Sequence, residues 1–86
     1  MVFSIPENIS WKNLESGIVL LDLVNGAYYT LNKTATVIMQ GVLDGKTEQD
    51  IIAIIMKEYD CEEARATNDV QEQLAFLINE GLLVKK

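Results

Sequence analysis

Apolar residues alternate with polar ones over roughly the first third of the chain and recur every three or four positions over the rest, so strands are expected first and helices after them. Met1, Phe3 and Ile5 alternate ahead of Pro6 and predict a short first strand. A second strand is expected over Ile9–Leu14, with Ile9 and Trp11 on one face and Ser10 and Lys12 on the other. The Glu15-Ser16-Gly17 turn then leads into a hairpin over residues 17–32, centred on Asn25-Gly26. That dipeptide suits a two-residue type I′ loop, whose central residues both take positive φ. Such a loop sets Leu23 against Tyr28 and Leu21 against Thr30 on one side, and Asp22 against Tyr29 and Leu20 against Leu31 on the other.

Asn32 is a good N-cap for a helix over Lys33–Leu43, with Ala35, Ile38, Met39 and Val42 spaced to form its inner face. Asp44-Gly45 ends that helix, and Thr47 caps the next, with Glu48 and Asp50 in the first turn where the macrodipole favours them. Ile51, Ile52, Ile54, Ile55 and Tyr59 give the second helix a broad apolar stripe that runs to about Asp60. Asp60 is expected to cap a third helix over residues 62–80, whose inward stripe is Ala66, Val70, Leu74, Leu77 and Ile78. Gly81 stops it, and Leu82, Leu83 and Val84 pack back as a short tail. The outline is α+β: a three-stranded antiparallel sheet at the front, then three helices with the last two tightly joined, the pattern of a winged helix-turn-helix.

Length bounds the chain to one domain over residues 1–86, and 49% apolar composition suffices for one core. A net charge of −6 with only seven basic residues argues against a phosphate-neutralising surface, so no nucleic-acid partner is expected. The third helix of a DNA-binding winged helix would be basic, whereas here Arg65 stands alone among acids. No stretch approaches a membrane span, so a cytoplasmic protein with no membrane partner is expected. The lone Cys61 has no partner for an internal disulfide. With no histidine, no second thiol and no phosphate-binding loop, the chain offers no catalytic template, and neither a cofactor nor a metal site is expected. The carboxylates at Glu58, Asp60, Glu62 and Glu63 read as a solvated helix junction.

Binding features remain. A strand over residues 27–31 carries no proline or lysine to protect its edge, and such an edge can capture an extended peptide by strand addition. On a helical wheel, Asp69, Gln73, Phe76 and Glu80 group together beside the core stripe of the third helix. Acid at Asp69 and Glu80 would favour a peptide carrying Lys or Arg.

Val19-Leu20-Leu21-Asp22, Gly26-x-Tyr28-Tyr29-x-Leu31-Asn32, Thr34-Ala35, Asp44-Gly45-x-Thr47, Tyr59, Asp69-Val70, Leu74, Leu77 and Gly81-Leu82-Leu83 together resemble the coenzyme PQQ synthesis protein D family. The resemblance implies a non-catalytic winged helix-turn-helix that binds the leader of a ribosomally made precursor peptide beside its third strand. It places peptide contacts at Ala27, Tyr28, Tyr29, Thr30 and Leu31, and across from them at Asp69, Gln73, Phe76, Leu77 and Glu80. The Leu-Leu-Asp and Gly-x-Tyr-Tyr-x-Leu-Asn segments look similar to the stand-alone members of lasso-peptide pathways, which implies a leader peptidase and a cyclase as partner enzymes. The alternatives are a pathway with a radical enzyme, as in PQQ synthesis itself, and a structural module that pairs edge to edge as a homodimer.

Overall fold

The computed structural model describes residues 3–85; the place of Met1 in the expected first strand lies outside them. In chain order the elements are β1 (Phe3–Ser4), β2 (Ile9–Leu14), β3 (Gly17–Asp22), β4 (Tyr28–Thr30), α1 (Lys33–Leu43), α2 (Glu48–Tyr59), α3 (Glu63–Asn79) and β5 (Val84–Lys85). Strands β2, β3 and β4 form an antiparallel meander in that order, and β1 pairs antiparallel with β5 to tie the two ends of the chain together. The tail therefore ends in a strand, a pairing that no local pattern could reveal.

The inner face of the meander, carrying Ile9, Ile18, Leu20 and Leu31, packs on a helical core. Ala35, Ile38, Met39 and Val42 of α1 are buried there as expected, with Ile51, Ile52 and Ile55 of α2 and Ala66, Val70, Leu74 and Leu77 of α3. Ile78, expected inward, is 37% exposed, because the α3 stripe needs only one residue per turn at that end. Asn32 caps α1 by accepting from the Ala35 amide at 2.9 Å, and Thr47 and Asp50 form a reciprocal capping box at the start of α2.

Two glycines are required by close approach. At Gly17 (φ +135°) a Cβ would lie 2.8 Å from the Leu31 carbonyl oxygen and from Thr36 Oγ1. Thr36 Oγ1 accepts from the Ile18 amide at 3.2 Å and donates to the Leu31 carbonyl at 3.3 Å, so one hydroxyl joins β3, the end of β4 and α1. Gly41 lets α1 come down on α2, where a Cβ would meet Ile51 Cγ1 at 2.8 Å.

The hairpin differs from the expectation. Leu21 pairs with Tyr28, Leu20 with Tyr29 and Val19 with Thr30, and the Asp22 amide donates to the Ala27 carbonyl at 2.9 Å, leaving a four-residue loop over 23–26. Asp22 is the cause: its carboxylate accepts from the Val24 amide at 2.9 Å and the Asn25 amide at 3.4 Å, and its carbonyl accepts from Gly26 at 2.7 Å. These bonds start the turn earlier than Asn25, and only Gly26 takes positive φ. The register moves by two residues, so every side chain keeps its expected face.

Asp60 also differs. It closes α2 in the left-handed conformation (φ 48°) rather than capping α3, whose N-cap is Glu62 without a side-chain bond. Thr67 and Asn68, poor helix formers, lie inside a continuous α3 because Ala66 and Val70 on either side of them are fully buried.

Candidate peptide-binding groove

Strand β4 is the open edge of the meander. Leu31 donates to Ile18 at 2.9 Å and Asp22 donates to Ala27, so the odd-numbered residues 27, 29 and 31 are the ones bonded to β3. By the alternation of an antiparallel ladder, the N–H and C=O groups of Tyr28 and Thr30 point outward. A strand laid along this edge would find both pairs open.

Side chains alternate the other way. Tyr28, 71% exposed, stands on the outer face of the sheet with Thr30, over a depression of about 450 Å³ shared with Ser10, Lys12, Leu14, Val19 and Leu21. Tyr29 turns toward the helices, packs against the core and donates its hydroxyl to Glu80 Oε1 at 3.2 Å. Desolvation first, and then the Glu80 carboxylate, raise the Tyr29 hydroxyl above its ordinary pKa. This bond joins β4 to the C-terminal end of α3, two elements 51 positions apart in sequence.

Between β4 and α3 lies a groove of about 310 Å³ lined by Thr30, Leu31, Asn32, Ala35, Glu72, Gln73 and Phe76. Phe76 is 48% exposed although it is a large apolar residue on a packed helix, and it forms the wall opposite the strand edge. Asn32, Ala35 and Glu72 belong to the groove but were not among the contacts expected from sequence, where Asn32 and Ala35 stand only as a helix cap and a core residue. Glu72 lies one helical turn before Phe76, which is the signal that could have found it.

The structure divides the other expected residues. Ala27 is half-buried at the start of the edge, and Gln73 is half-buried inside the groove. Asp69 lines the neighbouring depression of about 610 Å³, formed with Thr34, Tyr59, Cys61, Glu62 and Arg65, and lies 4.0 Å from Arg65 Nε. Leu77, expected among the peptide contacts, has no exposure: its side chain belongs to the core and is not at the surface. No group of three or more metal-ligating side chains occurs among the described residues. Nor is any helix among them long and apolar enough to cross a membrane.

The model of the coenzyme PQQ synthesis protein D family matches residues 17–83, from the glycine that opens β3 to the buried leucine after α3. The chain belongs to that family. Two solved structures extend the likeness over nearly the whole length. A lasso peptide synthetase B1 complexed with the leader peptide is 32% identical, with a TM-score of 0.91 over 99% of this chain and 100% of that one. TbiB1 in complex with the TbiA(beta) leader peptide is 25% identical, with a TM-score of 0.90 over 96% of each chain. No curated protein matches by sequence. Family membership accounts for the order of elements, strands before a helix-turn-helix, and both similar structures are of proteins bound to a leader peptide.

Proposed function

We propose that this protein is a recognition element for ribosomally synthesised and modified peptides. It catalyses nothing itself: it captures the leader of a precursor peptide as an added strand on β4 and presents it, in the cytoplasm, to modifying enzymes. A leader peptidase and a cyclase of a lasso-peptide pathway are the partner enzymes that the family resemblance implies, and the likeness to a lasso peptide synthetase B1 supports that choice of pathway. The observation that carries this reading is the open edge at Tyr28 and Thr30 beside the Phe76 groove, in a fold that overlays a leader-bound lasso peptide synthetase B1 with a TM-score of 0.91. Capture orders a flexible leader, which costs about 2–5 kcal/mol. Backbone pairing and an apolar anchor must exceed that, which corresponds to micromolar to sub-micromolar binding, roughly −8 to −10 kcal/mol.

The test is an amide-resolved NMR titration of ¹⁵N-labelled protein with the leader encoded beside its gene, with a short DNA duplex as control. Shifts confined to residues 27–31 and the groove side of α3 are expected with the leader, and none with DNA. Thr30→Pro deletes one outward N–H at an edge where the fold does not use it, so the protein stays folded. Its affinity should fall by about 5-fold or more, the equivalent of one hydrogen bond of about 1 kcal/mol. A leader that leaves β4 amides unmoved, or that binds Thr30→Pro as tightly as the original, would overturn the reading.

A further inference from the structure

The groove has a charge of one sign and a fixed reader at its mouth. Glu72 lies on its helical wall, Glu80 follows Phe76 by one helical turn beyond the lining, and among the described residues neither Lys nor Arg lines it. Glu80 is the C-cap of α3, its amide bonded to the Phe76 carbonyl at 2.9 Å. A carboxylate at a helix C-terminus works against the macrodipole, so its position costs stability locally. Tyr29 nevertheless fixes one oxygen of that carboxylate through its hydroxyl, and the Glu80 side chain is otherwise exposed. A cation brought there would satisfy both the carboxylate and the exposed carbonyls of the helix end.

Strand register says which peptide residue would bring it. Tyr29 and Leu31 turn their side chains toward α3, and their backbone groups face inward, Tyr29 paired with Leu20 of β3, the Leu31 amide bonded to Ile18 and the Leu31 carbonyl to the Thr36 hydroxyl. In an added strand, the residues opposite Leu31 and Tyr29 also turn toward α3, and they are two apart because side chains alternate with period two. The one opposite Leu31 enters the pocket walled by Ala35, Gln73 and Phe76, which takes an apolar side chain. The one opposite Tyr29 lies along the tyrosine ring, and a Lys or Arg side chain there is about as long as the tyrosine that already reaches Glu80.

We infer that Glu80, oriented by Tyr29, selects leaders that carry Lys or Arg two residues from the apolar anchor seated against Phe76. This rests on the capture reading above and names the class of peptide that the same groove accepts. Glu80 reads the cation, and Tyr29 is a positioning residue.

The experiment is a display selection of randomised linear peptides on the original protein, on Glu80→Gln and on Tyr29→Phe, followed by NMR mapping and affinity measurement of the enriched peptides. Glu80 is exposed and Tyr29→Phe keeps the packed ring, so both variants stay folded. The original protein should enrich an apolar residue spaced by two from Lys or Arg, and replacing that cation with Ala should weaken binding about 2- to 5-fold. Glu80→Gln should abolish the cation preference while keeping the apolar one. Tyr29→Phe should reduce it, and added salt should erode it in the original protein. Peptides that shift β4 amides but show no cation preference, or one that survives Glu80→Gln, would overturn the inference and leave capture standing. Enriched peptides that all bind away from β4 would bring down capture, and the inference with it.

Discussion

Phe76→Ala tests the groove most directly, because the structure fixes both what the side chain does in the free protein and what remains for a ligand to cover. A phenylalanine side chain has about 200 Å² of surface to bury. At 48% exposure, about 100 Å² is still open to a bound peptide. Covering all of it at about 25 cal/mol per Å² contributes about 2.5 kcal/mol, and a strand covering one side contributes about half as much. Truncation should therefore raise the Kd of the leader by about 8- to 70-fold. The packed half of the ring also contributes to folding, so the variant loses about 2 kcal/mol of stability, within the reserve of an ordinary small domain. Fluorescence anisotropy with labelled leader gives the Kd, and urea unfolding confirms that the variant is folded under assay conditions. Val24→Ala is the control: Val24 is 81% exposed, but on the hairpin loop, and its removal should leave Kd within about 2-fold, the scatter expected for a residue outside the interface. A folded Phe76→Ala protein that binds as tightly as the control would refute the groove as the seat of the apolar anchor.

Gly41→Ala should lower the urea midpoint with an unchanged slope. The added Cβ would meet Ile51 at 2.8 Å, and overpacking of about 1–3 kcal/mol exceeds the gain of about 1 kcal/mol from helix propensity. A raised midpoint would show that Ile51 yields freely. Acid should loosen the hairpin loop and the start of α2 first. The amide of Val24 holds the Asp22 carboxyl below its usual 3.8, as the Thr47 amide does for Asp50, so their stabilisation is complete above that value and disappears as pH falls through the lower folded-state values. Amide exchange that rises first in α3 on acidification would contradict this.

How far the sequence could be read depended on whether the deciding contact was local. Asn32, Thr47 and Gly45 act within a turn of their own position, so the ends of α1 and the start of α2 follow from residue type alone. The faces of the meander also followed, since alternation survives a register shift of two. The loop itself did not follow, because Asp22 competes with Asn25-Gly26 for the turn and wins through bonds that only a folded geometry displays. Leu77 and Phe76 lie about 100° apart on a wheel, so periodicity already separated the buried one from the half-exposed one, whereas Ile78, placed in the same stripe, is 37% exposed and owes that to tertiary packing. The far wall of the groove, Asn32 and Ala35, comes from the start of α1 and is visible only after tertiary packing. The pairing of Phe3 with Lys85 spans the chain, and strands of two residues carry too little pattern to announce it.

An edge open enough to capture a peptide is also open to a second copy of itself, so the structure must favour one over the other. Strand β4 turns the backbone groups of only Tyr28 and Thr30 outward, so a symmetric pair would gain few hydrogen bonds. It would also bring two α3 flanks together, each carrying Glu72 and Glu80, with no Lys or Arg among the described residues that line the groove, in a protein whose net charge is −6. Like charges facing each other across a pairing edge are destabilising, whereas a leader of opposite charge gains from the same field. Sedimentation equilibrium at low ionic strength should therefore show a monomer at concentrations where the leader already saturates the groove. Glu80→Lys, which leaves each of the two identical flanks with one cation and one anion in place of two anions, should raise self-association while lowering affinity for a basic leader. A dimer of the original protein that persists at low salt and dissociates when leader is added would show instead that the acidic flank does not guard the edge, and that capture must displace a partner copy.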